Sequence, residues 1–295
     1  MVDASLLYFK SEASAALNLA RLADLKPQLI ERHDFPDGEF KLQLPSALPS
    51  RVVLLHSLDR PNEKLIELLF TARTARQLGV QHLTLVSPYL AYMRQDIAFV
   101  PGEVVSQRIV GDLLASLFDA VITVDPHLHR VSKLEEVIPA EHAITISAAP
   151  ILGDLAVQKR VNPFLVGPDE ESAQWVAQAA KLHQLDYAVA TKLRLGDRSV
   201  DIQLPSMNAE GRAVVLLDDI ASSGYTLARA AELLLKAGAA TVDVAVTHAL
   251  FDDQAEAVII KSGVSQIWTT DCIPHASNAV SVLPLIAQTL SLMET

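Results

Sequence analysis

The chain has 295 residues, half of them apolar and 20% charged, which suits two domains with buried cores and excludes a disordered or collagen-like polypeptide. Its 24 Lys and Arg against 35 Asp and Glu leave a net charge of −11, which argues against a broad nucleic-acid-tracking surface while allowing small anions held by a few basic side chains. The single cysteine, Cys272, excludes an internal disulfide and a zinc–thiolate cluster. No run approaches the roughly 18 apolar residues of a membrane span, and the N-terminus lacks a signal-peptide pattern. A cytoplasmic protein without membrane contact is therefore expected.

Taken in order, short β-branched runs alternate with amphipathic ones, the pattern of parallel α/β units. Residues 33–42 carry a Pro36-Asp37-Gly38 turn between extended runs and predict a hairpin, projecting before the first βαβ crossover. A strand over 52–55 then leads to a helix in which Leu65, Leu68, Leu69, Ala72 and Ala75 recur at helical spacing until Gly79. A strand over 83–86, a polar loop through 92–96, a helix near 104–118 and a strand over 120–124 follow. The scheme repeats as a strand at 164–166, a helix near 172–183 and a strand at 187–190. Next come an apolar strand at 213–217, a helix over 227–237 stopped by Gly238, and a strand at 242–246. This predicts an N-terminal domain over 1–145 and a C-terminal domain over 146–280, with a helix at about 281–295 packing on the first.

The most informative stretch is 213–226. A wholly apolar strand ends in Asp218-Asp219, and a Ser222-Ser223-Gly224-Tyr225-Thr226 turn opens a helix. At the carboxyl edge of a parallel sheet, the N–H groups of such a turn and the hydroxyls of Ser222, Ser223 and Thr226 form a cradle for a phosphate. The two carboxylates repel phosphate, so their partners are sugar hydroxyls or a Mg²⁺ carried with a second phosphate. An ordinary capped strand–helix turn is the bland alternative. A Walker loop is excluded, since no Gly-Lys-Ser/Thr follows.

This loop resembles the phosphoribosyl-diphosphate motif shared by type I phosphoribosyltransferases and ribose-phosphate diphosphokinases. Further segments resemble the diphosphokinases alone: Asp34-Phe35-Pro36-Asp37-Gly38-Glu39, the run from Pro88 to Arg94-Gln95-Asp96, and Thr191-Lys192-Leu193-Arg194. With Asp125-Pro126-His127 and Gly167-Pro168-Asp169, the likeness spans about residues 8–290 and is strongest to the shorter, archaeal-like branch. The resemblance implies two tandem phosphoribosyltransferase-like α/β domains, each with a central, mainly parallel sheet flanked by helices. It also implies transfer of the diphosphoryl group of ATP to the anomeric hydroxyl of ribose 5-phosphate, releasing AMP and feeding nucleotide biosynthesis.

On that resemblance, Phe35, Asp37, Glu39, Arg94, Gln95 and Asp96 contact ATP, and Lys192 and Arg194 are catalytic. Asp218, Asp219, Ser222, Ser223, Gly224, Tyr225 and Thr226 hold ribose 5-phosphate, while His127 and Asp169 contact Mg²⁺, one from each half. In the family the hairpin with Phe35 serves the adenine site of a neighbouring subunit, which implies a homo-oligomer with the dimer as its smallest unit. A phosphoribosyltransferase would leave the hairpin and the Arg94-Gln95-Asp96 segment without use, and a non-catalytic relative would be expected to have lost loop residues that stand here. Tyr225 departs from the small residue usual at its position. The stretch 97–103 carries no positive charge where many bacterial members have a basic run. His129, beside His127, is not read as a zinc ligand, and His33, His56, His82, His142, His183, His248 and His275 show no partner in sequence and are expected to be structural. Trp175 and Trp268 are expected in the core.

Overall fold

A computed structural model describes residues 4–194, 200–205 and 207–293. The chain divides into two compact units, one of residues 1–146 with 282–295 and the other of residues 147–281. In the first, β1 (Ala4–Phe9), α1 (Ala13–Leu22), β2 (Lys26–Asp34), β3 (Phe40–Gln43), β4 (Arg51–Leu55), α2 (Pro61–Gln77), β5 (His82–Val86), α3 (Ser106–Leu117), β6 (Ala120–Val124) and β7 (His142–Ile146) follow one another. They build a sheet in the order β3-β2-β1-β4-β5-β6-β7. Every adjacent pair is parallel except β2 and β3.

The strands β4 and β6 are buried almost throughout, because helices cover both faces of a parallel sheet and leave no solvent side for alternation. The hairpin is present, with Asp34 opposite Phe40, but its place in the fold differs from the sequence expectation. A βαβ crossover through β1, α1 and β2 precedes it, so the hairpin extends an existing strand outward to the sheet edge. That crossover escapes a periodicity reading because the inner face of α1 is built from Ala16, Leu19 and Ala20, a narrow stripe made mostly of alanine.

The second unit holds α4 (Ala149–Lys159), β8 (Phe164–Gly167), α5 (Ala173–Lys181), β9 (Tyr187–Val189), β10 (Thr191–Arg194), β11 (Val200–Gln203), β12 (Ala213–Ala221), α6 (Tyr225–Lys236), β13 (Thr241–Ala249), α7 (Asp253–Lys261), β14 (Ile267–Thr270) and β15 (Asn278–Val280). Its main sheet is ordered β15-β14-β13-β12-β8-β9 and is parallel throughout, while β10 and β11 form a separate antiparallel pair. One core layer packs Leu152, Val176 and Trp175 under Val215 and Leu217, with Trp268 alongside. The other packs Leu227, Ala231 and Leu234 against Val214 and Leu216. The last helix, α8 (Leu283–Met293), belongs to the first unit and lies against α1. Among the described residues no helix is long and apolar enough to cross a membrane.

Candidate functional site

The loop after β12 is built by the strand itself. Contrary to the expectation that the strand stops at Leu217, β12 runs through both carboxylates to Ala221, with Asp218 in register with Val246 of β13. The two carboxyls lie close enough to act on one another. Asp219, on the face of Val215 and Leu217, is 2% exposed, and Asp218 is half-buried, its Oδ1 accepting the Asp219 N–H at 3.0 Å. Asp169 lies just beyond β8, the neighbour of β12, and accepts the Glu171 N–H at 3.2 Å. Burial, reinforced by the charges of Asp219 and Asp169, pushes the Asp218 carboxyl well above the usual carboxylate range. Three crowded carboxylates favour a hard divalent cation or hydroxyl donors, either of which relieves the repulsion.

Gly224 turns the strand exit into α6. Its φ is +75°, and an added Cβ would stand 2.8 Å from Ile259 Cγ1 and 2.9 Å from the Ala255 carbonyl oxygen. The helix therefore starts at Tyr225, two residues before the expected Leu227, and no side chain caps its first turn. Its leading N–H groups are thereby left for an anion. Ser222 and Ser223 are exposed beside them, Thr226 is half-buried, and the Tyr225 ring is 69% exposed rather than folded over the turn. A cleft of about 440 Å³ is lined by Ser222, Ser223, Tyr225, Leu250, Asp252 and Gln254.

In the first unit the hairpin turn is closed by Phe35 N–H donating to the Glu39 carbonyl at 2.8 Å and Gly38 N–H to that of Phe35 at 3.1 Å. Asp37 Oδ1 accepts the Glu39 N–H at 3.1 Å, and Phe35 stays 40% exposed with His33 edge-on at 4.8 Å. The segment 89–96 is anchored from below: Met93 is buried and its carbonyl accepts Gln107 Nε2 at 3.0 Å. Tyr92 takes a positive φ of 64°. Arg94 points into solvent, whereas Gln95 Nε2 donates to Glu103 Oε1 at 2.9 Å and Asp96 accepts from Arg130 at 2.6 Å. His127 follows β6 after Asp125, whose φ of +36° marks a constrained backbone. The His127 ring meets that of His129 edge-on at 4.2 Å.

Lys192 and Arg194 occupy β10, opposite Ile202 and Val200 of β11, and their side chains lie outside the described residues. Trp175 and Trp268 are core residues as expected, and Cys272 is buried. Three of the histidines have partners that the sequence did not show, which fits the structural part expected of them. His183 Nε2 sits 2.6 Å from Asp154, and His275 Nδ1 sits 2.7 Å from Ser277 Oγ. His56, fully buried, has a carboxylate on each ring nitrogen, Glu12 and Glu67, both at 2.8 Å. The partners stand 44 and 11 residues away, too far for a local motif. The available signal was Glu67 itself, a carboxylate in the buried stripe with Thr71 and Ala75.

Residues 4–117 match the family model described as the N-terminal domain of ribose phosphate pyrophosphokinase, and residues 138–276 match that of the phosphoribosyl transferase domain. The ribose-phosphate pyrophosphokinase of Methanopyrus kandleri is 37% identical over 269 residues, 90% of either chain. Ribose-phosphate pyrophosphokinase 2 of Archaeoglobus fulgidus is 33% identical over 260 residues, 87% of this chain and 89% of its own. Among solved structures, the phosphoribosylpyrophosphate synthetase from Mycobacterium smegmatis shares the fold, with a TM-score of 0.84 over 99% of both chains at 22% identity.

Proposed function

The chain belongs to the ribose-phosphate pyrophosphokinase family, and from that premise we propose how its residues divide the transfer of the ATP diphosphoryl group to ribose 5-phosphate. The anomeric hydroxyl oxygen attacks the β-phosphorus in line, the bond from that phosphorus to the α,β-bridging oxygen breaks, and AMP leaves while the hydroxyl proton is lost to solvent. Such a transfer needs positioning and neutralisation of spread charge more than covalent assistance.

The 5-phosphate sits on the N–H groups of Gly224, Tyr225 and Thr226, helped by the hydroxyls of Ser222, Ser223 and Thr226. Asp218 and Asp219 accept from the ribose hydroxyls and fix the face that the anomeric oxygen presents. Lys192 and Arg194, two apart in sequence on β10, carry the cations that meet the transferring phosphoryl oxygens. Arg94, Gln95 and Asp96 hold the ATP, and Phe35, Asp37 and Glu39 close on the adenine of a neighbouring copy, which makes the dimer the smallest working unit. The crowded carboxylates around Asp169 suit Mg²⁺, with His127 as a further contact; bound there, the ion would neutralise phosphate charge. The lone cysteine and an ATP donor suit a cytoplasmic enzyme.

The observation that carries this reading is the uncapped start of α6 beside three carboxylates, in a chain whose first unit matches a pyrophosphokinase domain. The test is AMP release from ATP with and without ribose 5-phosphate. AMP formed only with the sugar, in step with phosphoribosyl diphosphate, supports it. Consumption of phosphoribosyl diphosphate with a base, without AMP formation from ATP, would establish a phosphoribosyltransferase instead.

A further inference from the structure

The first unit buries a chain of charges that the roles above leave unused. His56 follows β4 and is fully buried, with Nδ1 2.8 Å from Glu12 Oε2 and Nε2 2.8 Å from Glu67 Oε2. An ionised carboxylate only accepts, and a neutral imidazole has one N–H, so the imidazolium is the ring form that satisfies both contacts. The Phe9 ring lies against the histidine at 4.6 Å, and Arg32 from β2 pairs with Glu67. Burial opposes charge on the ring, but Glu12 and Glu67 outweigh it and hold His56 above the usual histidine range. Burial likewise works against the Glu67 charge, and His56 with Arg32 overcomes it to hold that carboxyl low.

Two branches leave this centre. On one side Glu12 Oε1 accepts the Ser57 N–H at 2.7 Å, Ser57 Oγ accepts the Tyr89 N–H at 3.1 Å, and Leu58 N–H donates to the Tyr89 carbonyl at 2.9 Å. Tyr89 opens the run that ends in Arg94, Gln95 and Asp96. On the other side Arg32, also bonded to Glu63 at 3.0 Å, donates through Nε to Asp34 Oδ1 at 2.8 Å. Asp34 is the last residue of β2, next to Phe35. A continuous set of ionic and hydrogen bonds thus joins the base of the hairpin to the base of the 89–96 segment, with His56 at its middle.

We propose that His56, as an imidazolium held between Glu12 and Glu67, is a positioning residue for nucleotide binding that ties the Phe35 hairpin to the segment of Arg94, Gln95 and Asp96. This rests on the reading that both segments bind ATP. A ring with one proton satisfies only one carboxylate and releases one branch, so the charge, and not only the volume, of His56 sets the placement of the two segments.

The experiment is steady-state kinetics of the full chain, with thermal unfolding of each variant. His56→Gln, which presents one donor and one acceptor, should raise KM for ATP at least fivefold and leave KM for ribose 5-phosphate within twofold. Adding Glu12→Gln supplies a donor opposite the new acceptor and should restore most of the lost ATP affinity. Arg32→Gln, on a partly exposed side chain, cuts only the hairpin branch and should reproduce the ATP effect in a folded protein even if His56→Gln fails to fold. Nitrogen-15 spectra should show both ring nitrogens of His56 protonated at neutral pH. Equal rises in both KM values, unchanged KM values in folded variants, or a neutral-ring spectrum would each overturn the role. Arg94→Ala separates the two layers of the argument. An unchanged ATP KM there removes the segment assignment itself, whereas a raised one with silent His56 and Arg32 variants removes only the positioning role.

Discussion

Asp218 and Asp219 are neighbours whose carboxyls act on one another, so amide substitution of one at a time is needed to separate their roles. On the proposed role, Asp218→Asn takes a charged acceptor away from the sugar hydroxyls, and it eases the crowding with Asp219 and Asp169. A hydrogen bond to a charged group contributes roughly 1.5–3 kcal/mol, so ribose 5-phosphate affinity should fall about tenfold or more while ATP affinity holds. Isothermal titration with each substrate reads this directly, and an equal loss for both would assign the carboxylate to the metal. The pair of His56 and Glu67 gives a second residue-level expectation. His56 is raised from 6.5, so its contribution to stability is complete below that value and fades as pH climbs through the folded one. Glu67 is lowered from 4.5, so its contribution is complete above that value and fades as pH drops through the folded one. Urea unfolding across pH should show the pair's full stabilisation between about 4.5 and 6.5. Glu67→Gln should flatten the acid limb; an acid limb parallel to that of the unsubstituted chain would show that the pair is not titrating.

At the scale of elements, the turn from β12 into α6 depends on one backbone conformation. Gly224→Ala places a side chain at positive φ, a cost of roughly 1–2 kcal/mol, and forces its Cβ against Ile259 and the Ala255 carbonyl. Denaturant unfolding should show at least that loss, together with a raised KM for ribose 5-phosphate as the N–H cradle shifts. For β10, Lys192→Ala and Arg194→Ala should each lower kcat by the equivalent of about 2–4 kcal/mol, the effect of removing one preorganised donor from a transition state. Near-normal kcat in both would remove this strand from catalysis. The stretch before α3 bears on regulation. Residues 97–103 carry no basic side chain, and Glu103 Oε2 already accepts the Phe99 N–H at 2.6 Å and the Val100 N–H at 3.2 Å, so this stretch offers an anion little to bind. Activity should depend little on inorganic phosphate at fixed free Mg²⁺ and ionic strength, and ADP should compete with ATP. A tenfold rise with phosphate would show an anion site elsewhere. What was legible at this scale followed burial pattern. Strands such as β4 and β6 carry apolar runs that announce themselves, and the Pro36-Asp37-Gly38 turn marks its hairpin. The start of α6 and the end of β12 were misplaced because two aspartates inside a strand and an aromatic at a helix start both contradict local preference.

Over the whole molecule, sequence conveyed the alternation of strands and helices and the loop at 218–226, whose residues are contiguous. It did not convey the buried charges around His56, since these join residues from β2, the segment after β1, the end of β4 and α2, which only the sheet order brings together. The same order places β3 at the edge of the first sheet, so the hairpin carries Phe35 at the rim with 40% of its surface exposed. An aromatic kept at an exposed edge beside acidic Asp37 and Glu39 is poorly explained by its own unit's core, and contact with a nucleotide in a neighbouring copy gives it a use. If a dimer shares its sites this way, each site draws Lys192 from one chain and Phe35 from the other. Lys192→Ala and Phe35→Ala are then each inactive alone, but a hybrid dimer holds one site with both residues intact. With random exchange of an equal mixture, half the dimers are hybrids and half their sites are whole, so about a quarter of the original activity should return in a symmetric dimer. Native mass spectrometry can verify the exchange before the assay. Full exchange with no recovered activity would place Phe35 in the site of its own chain and remove the need for a partner.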